Sequence, residues 1–327
     1  MKRGWCPGVH APMPSGDGLL LRVKPFGGRL TADMLRTLAV VAAGCGNGAV
    51  ELTGRGNIQL RGLTEVTAPL AAAALVDAGL ADPDPVREAR RNVIAVPPCD
   101  DALVAAIEKL LSGFPGLAPK FCVAVGAARA NIRVIDGRAT ASSSASPREL
   151  EVLAAVERLA AANRDGHGGD GVSDALLLGL PFGQTDAAAV LRLADLLARL
   201  PSCSAGHIVR TTPWRSFHLQ GAHEPALFAS AGFIADPDDP RRAIVACAGA
   251  PACASASVPA RTDAAFLASR GLRGIHVSGC AKGCAHPTAT ATLVGSGGSY
   301  GLVRHGRAGD APDIAGLTIA QAAELLA

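Results

Sequence analysis

Residues 50–62 read VELTGRGNIQLRG, and residues 209–221 read VRTTPWRSFHLQG. Thr53 falls on Thr212, Leu60 on Leu219 and Gly62 on Gly221, each pair 159 positions apart. Shared Thr and Gly at one offset is hard to obtain from composition alone, so the two stretches mark an internal repeat. Upstream, Asp17-Gly18-Leu19-Leu20-Leu21 matches Asp174-Ala175-Leu176-Leu177-Leu178. Between these landmarks each copy has apolar residues at helical spacing, over 31–43 and 186–200. Each copy therefore reads as a strand–helix–strand module.

The parallel continues downstream, more weakly. RRNVIAV at 90–96 resembles RRAIVAC at 241–247, and FCVAV at 121–125 resembles IHVSG at 275–279. The order is A, B, A′, B′, which predicts an α+β fold of two duplicated half-domains alternating with two α/β modules about a pseudo-twofold. The boundaries expected are 1–80, 86–162, 172–235 and 240–327, with breaks at the Pro- and Gly-rich stretches 81–85, 163–173 and 236–240.

Bulk composition narrows the function classes. The 327 residues are 49% hydrophobic and 18% charged, as in a globular protein with a large core. Aromatics make up 3%, so alanine, leucine and valine supply most of the packing. A formal charge of +3 is too small to imply nucleic acid as a partner. The basic start Met1-Lys2-Arg3 has no apolar run behind it, and no stretch reaches the ~18 uncharged apolar residues of a membrane span. A cytoplasmic location is expected, where nine cysteines read as metal ligands or buried small hydrophobes rather than disulfides.

Four of those cysteines form a pattern. Cys247 and Cys253 are spaced C-x5-C, and Cys280 and Cys284 are spaced C-x3-C. A cubane [4Fe–4S] cluster takes four thiolates. A four-residue spacing would set Cys280 and Cys284 on one face of a helix. Their neighbours are almost all Ala or Gly, which leaves room for a bulky group and backbone amides for its sulfides. Zinc is the main rival, but its structural sites favour C-x2–4-C knuckles. Four unrelated buried thiols is the remaining alternative. Cys6, Cys45, Cys99, Cys122 and Cys203 have no comparable spacing and read as buried thiols.

CAGAPAC at 247–253 with SGCAKGCAHP at 278–287 resembles the cluster motif of the sulfite and nitrite reductase superfamily. That resemblance covers nearly the whole chain. It implies ferredoxin-like half-domains for A and A′ and places the [4Fe–4S] cluster in the last module. Within the superfamily the chain is most similar to the precorrin-3B synthase branch, on CAKGCAHP, on APMPSGDGL at 11–19 and on TPWR at 212–215.

The resemblance implies that Arg55, Arg61, Arg91 and Lys120 bind an anionic substrate and a tetrapyrrole. The residue types suit that task, since a precorrin carries many carboxylates and guanidinium forks grip carboxylates bidentately. Arg55 and Arg61 are an even number of residues apart, so on one strand both would face the same way. The alternative for these charges is a solvated strand face. Where the reductases have a second lysine two residues after the position of Lys120, this chain has Cys122. That substitution speaks against reduction of sulfite or nitrite and is compatible with an oxygenation.

The implied chemistry is oxygen-dependent hydroxylation and lactone formation on precorrin-3A, with O2 as second substrate and electrons from a separate donor protein. The branch also implies a mononuclear non-haem iron, which needs ligands such as two histidines and a carboxylate. The chain has eight histidines but no pair at clear ligand spacing. His286 and His218 read as ordinary histidines. GSGGSYG at 295–301 reads as a hairpin turn rather than a phosphate loop. Two alternatives remain: a sirohaem-dependent sulfite or nitrite reductase, and a non-enzymatic iron–sulfur electron carrier or sensor.

Overall fold

The computed structural model describes residues 6–162, 174–200 and 207–327. The break expected at 163–173 and Cys203 lie outside these described residues. The chain divides into two compact units, one built from residues up to 13, 19–178 and 185–232, the other from 14–18, 179–184 and 233–327.

In chain order the first copy of the repeat contains β1 (Met13–Ser15), β2 (Gly18–Val23), β3 (Arg29–Leu30), α1 (Ala32–Cys45), β4 (Ala49–Leu52), β5 (Ile58–Leu63) and α2 (Thr67–Asp77). β2 and β4 flank β5 antiparallel, with Leu21 and Val50 both opposite Leu60 and Val23 and Leu52 both opposite Ile58. These apolar residues are buried along one face. Helix α1 begins at Thr31, whose hydroxyl caps the Met34 amide at 3.3 Å.

The first α/β module follows: α3 (Pro85–Arg90), β6 (Val93–Ala95), α4 (Asp101–Gly113), β7 (Val123–Val125), β8 (Ile132–Ile135), β9 (Arg138–Ala141) and α5 (Pro147–Ala162). β6, β7 and β8 run parallel and β9 closes antiparallel. Short apolar strands buried on both faces suit such a sheet. Its core joins Val123, Ile132 and Val134 to Ile107 and Leu111 of α4 and Val152 and Val156 of α5.

The second copy contains β10 (Ala175–Gly179), β11 (Gln184–Asp186), α6 (Ala187–Arg199), β12 (Val209–Thr211), β13 (Ser216–Gln220) and α7 (Pro225–Ser230). Its sheet runs β10-β13-β12-β3, so a strand of the first copy forms its edge, with Arg29 opposite Arg210. The exchange is reciprocal at Ala187, whose amide donates to Gly48 O at 2.8 Å. α1 packs on α6, and Arg36 bonds Asp195 across them at 3.1 Å.

The second module comprises β14 (Ile244–Ala246), α8 (Ala260–Ser269), β15 (Ile275–Ser278), β16 (Thr290–Ser296), β17 (Ser299–Gly306), β18 (Ile314–Leu317) and α9 (Ile319–Leu326). It repeats the first module's pattern, β14, β15 and β16 parallel and β17 antiparallel, with β18 added. The expected hairpin is present, turning at Gly297 and Gly298 with φ of 56° and 83°. Ile275, Val277, Leu293 and Leu302 fill its core with Ala264 and Leu267, each large side chain contributing roughly 1.5–3 kcal/mol. Among the described residues no helix is long and apolar enough to cross a membrane.

Candidate functional site

Cys247 directly follows β14, and its amide donates to Val277 O of β15 at 3.2 Å. The chain then enters a tight loop. Cys253 N reaches back to Gly249 O at 2.8 Å, and Ala250 N donates to Val258 O at 2.9 Å. Gly249 has φ +70°, and a Cβ there would lie 2.4 Å from Ala260 N, so only glycine fits. The segment 14–18 braces this loop: Ser15 Oγ and Gly16 N both donate to Ala252 O, at 2.9 and 3.2 Å. A Cβ on Gly16 would sit 2.5 Å from Pro251 O. The PSGDG stretch thus has a structural task that its sequence did not disclose.

The second pair leaves the end of β15, and here one expectation is corrected. Cys280 and Cys284 are not on a helix; they lie in successive turns. Ser278 Oγ donates to Cys280 O at 2.7 Å, taking the carbonyl that a helix would have used, and Gly283 is left-handed at φ +57°. The two cysteine loops are joined by Ser257 N on Gly279 O at 3.0 Å and by Lys282 Nζ on Ser255 Oγ at 2.7 Å.

The other three thiols lie within electrostatic reach of Cys284. The Cys284 thiol is pushed up by desolvation first, then by Cys280, Cys247 and Cys253, while Lys282 pulls it down. Cys247 Sγ accepts the Gly279 amide at 3.1 Å, the kind of bond that steadies a thiolate. Among the described residues no three His, Cys, Asp or Glu side chains are gathered tightly enough to share one ion. A four-thiolate set spread over two Gly- and Ala-lined loops fits a cubane cluster better than a single zinc. The same finding leaves a mononuclear iron without a ligand set among the described residues. His276 is fully buried in β15 with its ring 5.6 Å from that of His286, and His286 Nε2 meets Thr288 Oγ1 at 2.7 Å. His218 is half-buried opposite Arg210 on β12, and its pKa is lowered by burial and then by that arginine.

In the other unit the basic residues divide into two groups. Arg55 and Lys120 come together at the surface, where Arg55 Nη1 donates to Lys120 O at 3.0 Å. Arg55 is not on β5 but in the turn that precedes it, so the even-spacing argument does not apply to it. Thr53 Oγ1 holds that turn by accepting from Arg55 N and Asn57 N at 3.3 and 3.1 Å. Arg61, on β5, is 3% exposed and faces Glu51 at 3.6 Å.

A polar row runs across this sheet. Arg22 on β2 stands opposite Gln59 on β5, which stands opposite Glu51 on β4. Arg22 Nη2 donates to Gln59 Oε1 at 2.7 Å, and Gln59 Nε2 donates to Glu51 Oε2 at 2.8 Å. Arg22 Nε is buried with no hydrogen-bond partner, and the pKa of Arg22 is lowered by burial first, with a further push from Arg55. Sequence reasoning missed Arg22. Its parity with Lys24 beside three buried leucines was the available signal, but only strand pairing puts it beside Gln59.

By side chain, Arg91 is the most enclosed of the four basic residues named from the sequence. Expected to face an anionic substrate, it is 3% exposed and bound to Glu88 through Nη2 at 2.6 Å and Nε at 3.0 Å. Glu108 lies 3.7 Å away, Phe26 stacks 3.6 Å from the guanidinium, and Nη2 also donates to Lys24 O at 2.7 Å. Its Nε and Nη2 are committed inside the protein, while Nη1 is buried without a hydrogen-bond partner. Cys122 is buried, 1% exposed, and its thiol is pushed up by that burial.

Comparison with known proteins agrees with this architecture. The family described as nitrite/sulfite reductase ferredoxin-like half domain matches residues 11–78. A precorrin-3B synthase of Sinorhizobium sp is 31% identical, over 95% of this chain and 85% of that protein. The solved structure of Mycobacterium tuberculosis NirA protein superposes with a TM-score of 0.63 over 94% of this chain and 79% of its own, at 14% identity, a likeness of fold.

Proposed function

The chain belongs to the precorrin-3B synthase family, and on that premise we propose that it performs the oxygen-dependent hydroxylation and lactone formation on precorrin-3A in aerobic cobalamin synthesis. One observation carries the reading: a chain alike over 95% of its length to a precorrin-3B synthase has Cys247 and Cys253 on one loop and Cys280 and Cys284 on a second loop hydrogen-bonded to it.

Cys247, Cys253, Cys280 and Cys284 would hold a [4Fe–4S] cluster, which when bound supplies electrons one at a time. Arg55 and Lys120 offer exposed cationic heads to the carboxylates of a precorrin. Arg22 adds a guanidinium whose buried Nε needs an acceptor. Arg61 acts one step back, holding Glu51 and through it Gln59 and Arg22. Arg91 has an internal role, binding Lys24 O and pairing with Glu88 and Glu108. O2 is the second substrate, a separate protein donates the electrons, and the setting is the cytoplasm.

The sirohaem-dependent reductase reading draws no support from Cys122, a buried uncharged thiol where a proton-donating lysine is wanted. The electron-carrier reading leaves Arg55, Lys120 and Arg22 without a task.

The test is anaerobic purification, iron and sulfide analysis, and an ultraviolet–visible spectrum, followed by incubation with precorrin-3A, a reductant and ¹⁸O2. The expected protein carries about four irons and four sulfides, and its product gains one labelled oxygen atom. Cluster-loaded protein that leaves precorrin-3A unchanged would refute the assignment.

A further inference from the structure

A cavity of about 440 Å³ opens inside the first unit, between residues 6–11, the end of β2, helix α3 and the 116–121 loop. Pro7, Val9, Leu117 and Phe121 give it an apolar wall. Lys24 stands at its edge, 7% exposed. The amine donates to Glu88 O at 2.8 Å and Ala89 O at 3.2 Å, both neutral carbonyls. An ammonium has three donors, and a buried charge normally finds an anionic partner.

The carboxylate that attracts Lys24 most, Glu88, makes no hydrogen bond to the amine; its Oε1 is buried without a partner and its Oε2 is committed. Glu88 Oε2 accepts from Arg91 and from Asp82 N at 2.8 Å. Burial, the largest cause, pushes the Lys24 amine down to about 8, and the attraction of Glu88 offsets it only in part. The other polar groups around the cavity are tied to backbone: His10 Nε2 meets Asp82 O at 2.8 Å, Asn92 Nδ2 donates to Ala89 O at 3.2 Å, and Arg90 Nη1 donates to Ser112 O at 3.1 Å. Cys6 lies on the same wall, within electrostatic reach of Lys24 and Arg22.

We propose that this cavity is a carboxylate-binding site, in which the third N–H of Lys24 takes the carboxylate, the apolar wall takes the attached carbon chain, and Cys6 lines the mouth. The site is far larger than a carboxylate alone, so the ligand is an aliphatic acid of several carbons or an acidic arm of a larger molecule. It uses none of the cluster cysteines and stands whether or not the tetrapyrrole reading holds.

Cys6 is a built-in reporter. In the full-length protein, alkylation of Cys6 by anionic iodoacetate and by neutral iodoacetamide is followed by peptide mapping at low conversion. N-acetylcysteine is the reference thiol. The expected ratio favours iodoacetate on the order of tenfold more at Cys6 than at the reference. Lys24→Met lowers that preference severalfold and Lys24→Arg keeps it. If Lys24→Met does not fold, the wild-type ratio and the protection arm still decide. In that arm, glutarate or uroporphyrin I is added before labelling. Protection by glutarate supports a free acid as ligand, and protection by uroporphyrin alone supports an acidic arm of a tetrapyrrole. A Cys6 ratio equal to that of N-acetylcysteine, with no protection by either compound, overturns the proposal. Iron and sulfide analysis of the same preparation reports on the cysteine centre separately.

Discussion

Gly56 and Arg215 stand 159 positions apart and share one left-handed backbone conformation, φ +69° and +56°, at the same place in the same turn. In the first copy Thr53 N donates to Asn57 O at 2.9 Å; in the second, Thr212 N donates to Ser216 O at 3.0 Å. The turn is the repeat's most faithful feature, yet only one copy has the residue that adopts it without strain. For an L side chain the left-handed region costs about 1–2 kcal/mol. Gly56→Ala is therefore expected to destabilise by about 1 kcal/mol, since its Cβ meets nothing closer than Thr211 Oγ1 at 3.4 Å. Arg215→Gly is expected to raise the urea midpoint. A lowered midpoint for Arg215→Gly would show that its side-chain contacts outweigh the strain.

The brace on the first cysteine loop predicts that the proposed cluster is lost on a mutation distant in sequence. Gly16→Ala forces a methyl group to within 2.5 Å of Pro251 O, a backbone atom that cannot step aside cheaply. Such a protein should lose iron to a chelator faster than wild type while its far-ultraviolet circular dichroism stays the same. Equal iron release would mean that the loop needs no brace.

Lys282 lies between Cys280 and Cys284, two of the proposed cluster ligands, and donates to Ser255 Oγ. Lys282→Met should lower the midpoint potential of the bound cluster, because a cation beside it favours the more negative reduced state. Ser255→Ala should speed iron release with a smaller change in potential. Electrochemical titration of wild type and both variants separates the two effects.

Arg91 answers a structural demand, and its substitution should show it. Removing one partner of a buried ion pair costs about 3–5 kcal/mol, and Arg91→Ala strands both Glu88 and Glu108. Chemical denaturation should register that loss in protein that has never met substrate. A variant of full stability with a raised KM would instead return Arg91 to the substrate site.

Lys24 makes stability depend on alkaline pH in a direction that follows from its lowered pKa. Below about pH 8 the amine is charged in both states, and its burial costs a constant amount. Between about 8 and its ordinary 10.5 the folded protein has released a proton that the unfolded chain still holds, so stability rises with pH. The rise approaches about 3 kcal/mol across that window. It should appear as the difference between wild-type and Lys24→Met curves, measured without added carboxylate. A flat difference would place the amine in a wetter setting.

Much of this molecule was legible in its sequence because the information was local or periodic. The offset of 159 between Thr53 and Thr212 announced the duplication. The helices predicted over 31–43 and 186–200 are found at Ala32–Cys45 and Ala187–Arg199, each capped by the oxygen-bearing residue before it. The repeat is not uniform, however. Gly27 and Phe182, both left-handed, are 155 positions apart, so the second copy gains four residues between α6 and β12.

The architecture could be read along the chain, because strand and helix periodicity and a repeat of fixed offset are local or periodic signals, and the spacing of the four cysteines could be read there too. Folding alone settled which charges are available and what holds the cysteine loops. Arg91 is paired with Glu88 three positions before it, but its burial also needs Phe26, Lys24 O and Glu108, which only folding brings to it. Arg22 is recruited by Gln59 through strand pairing, and Cys253 is steadied by a Ser15 and a Gly16 more than 230 residues earlier. An electrostatic partner contributes through distance in space, and the linear order of residues does not record that distance until the chain has folded.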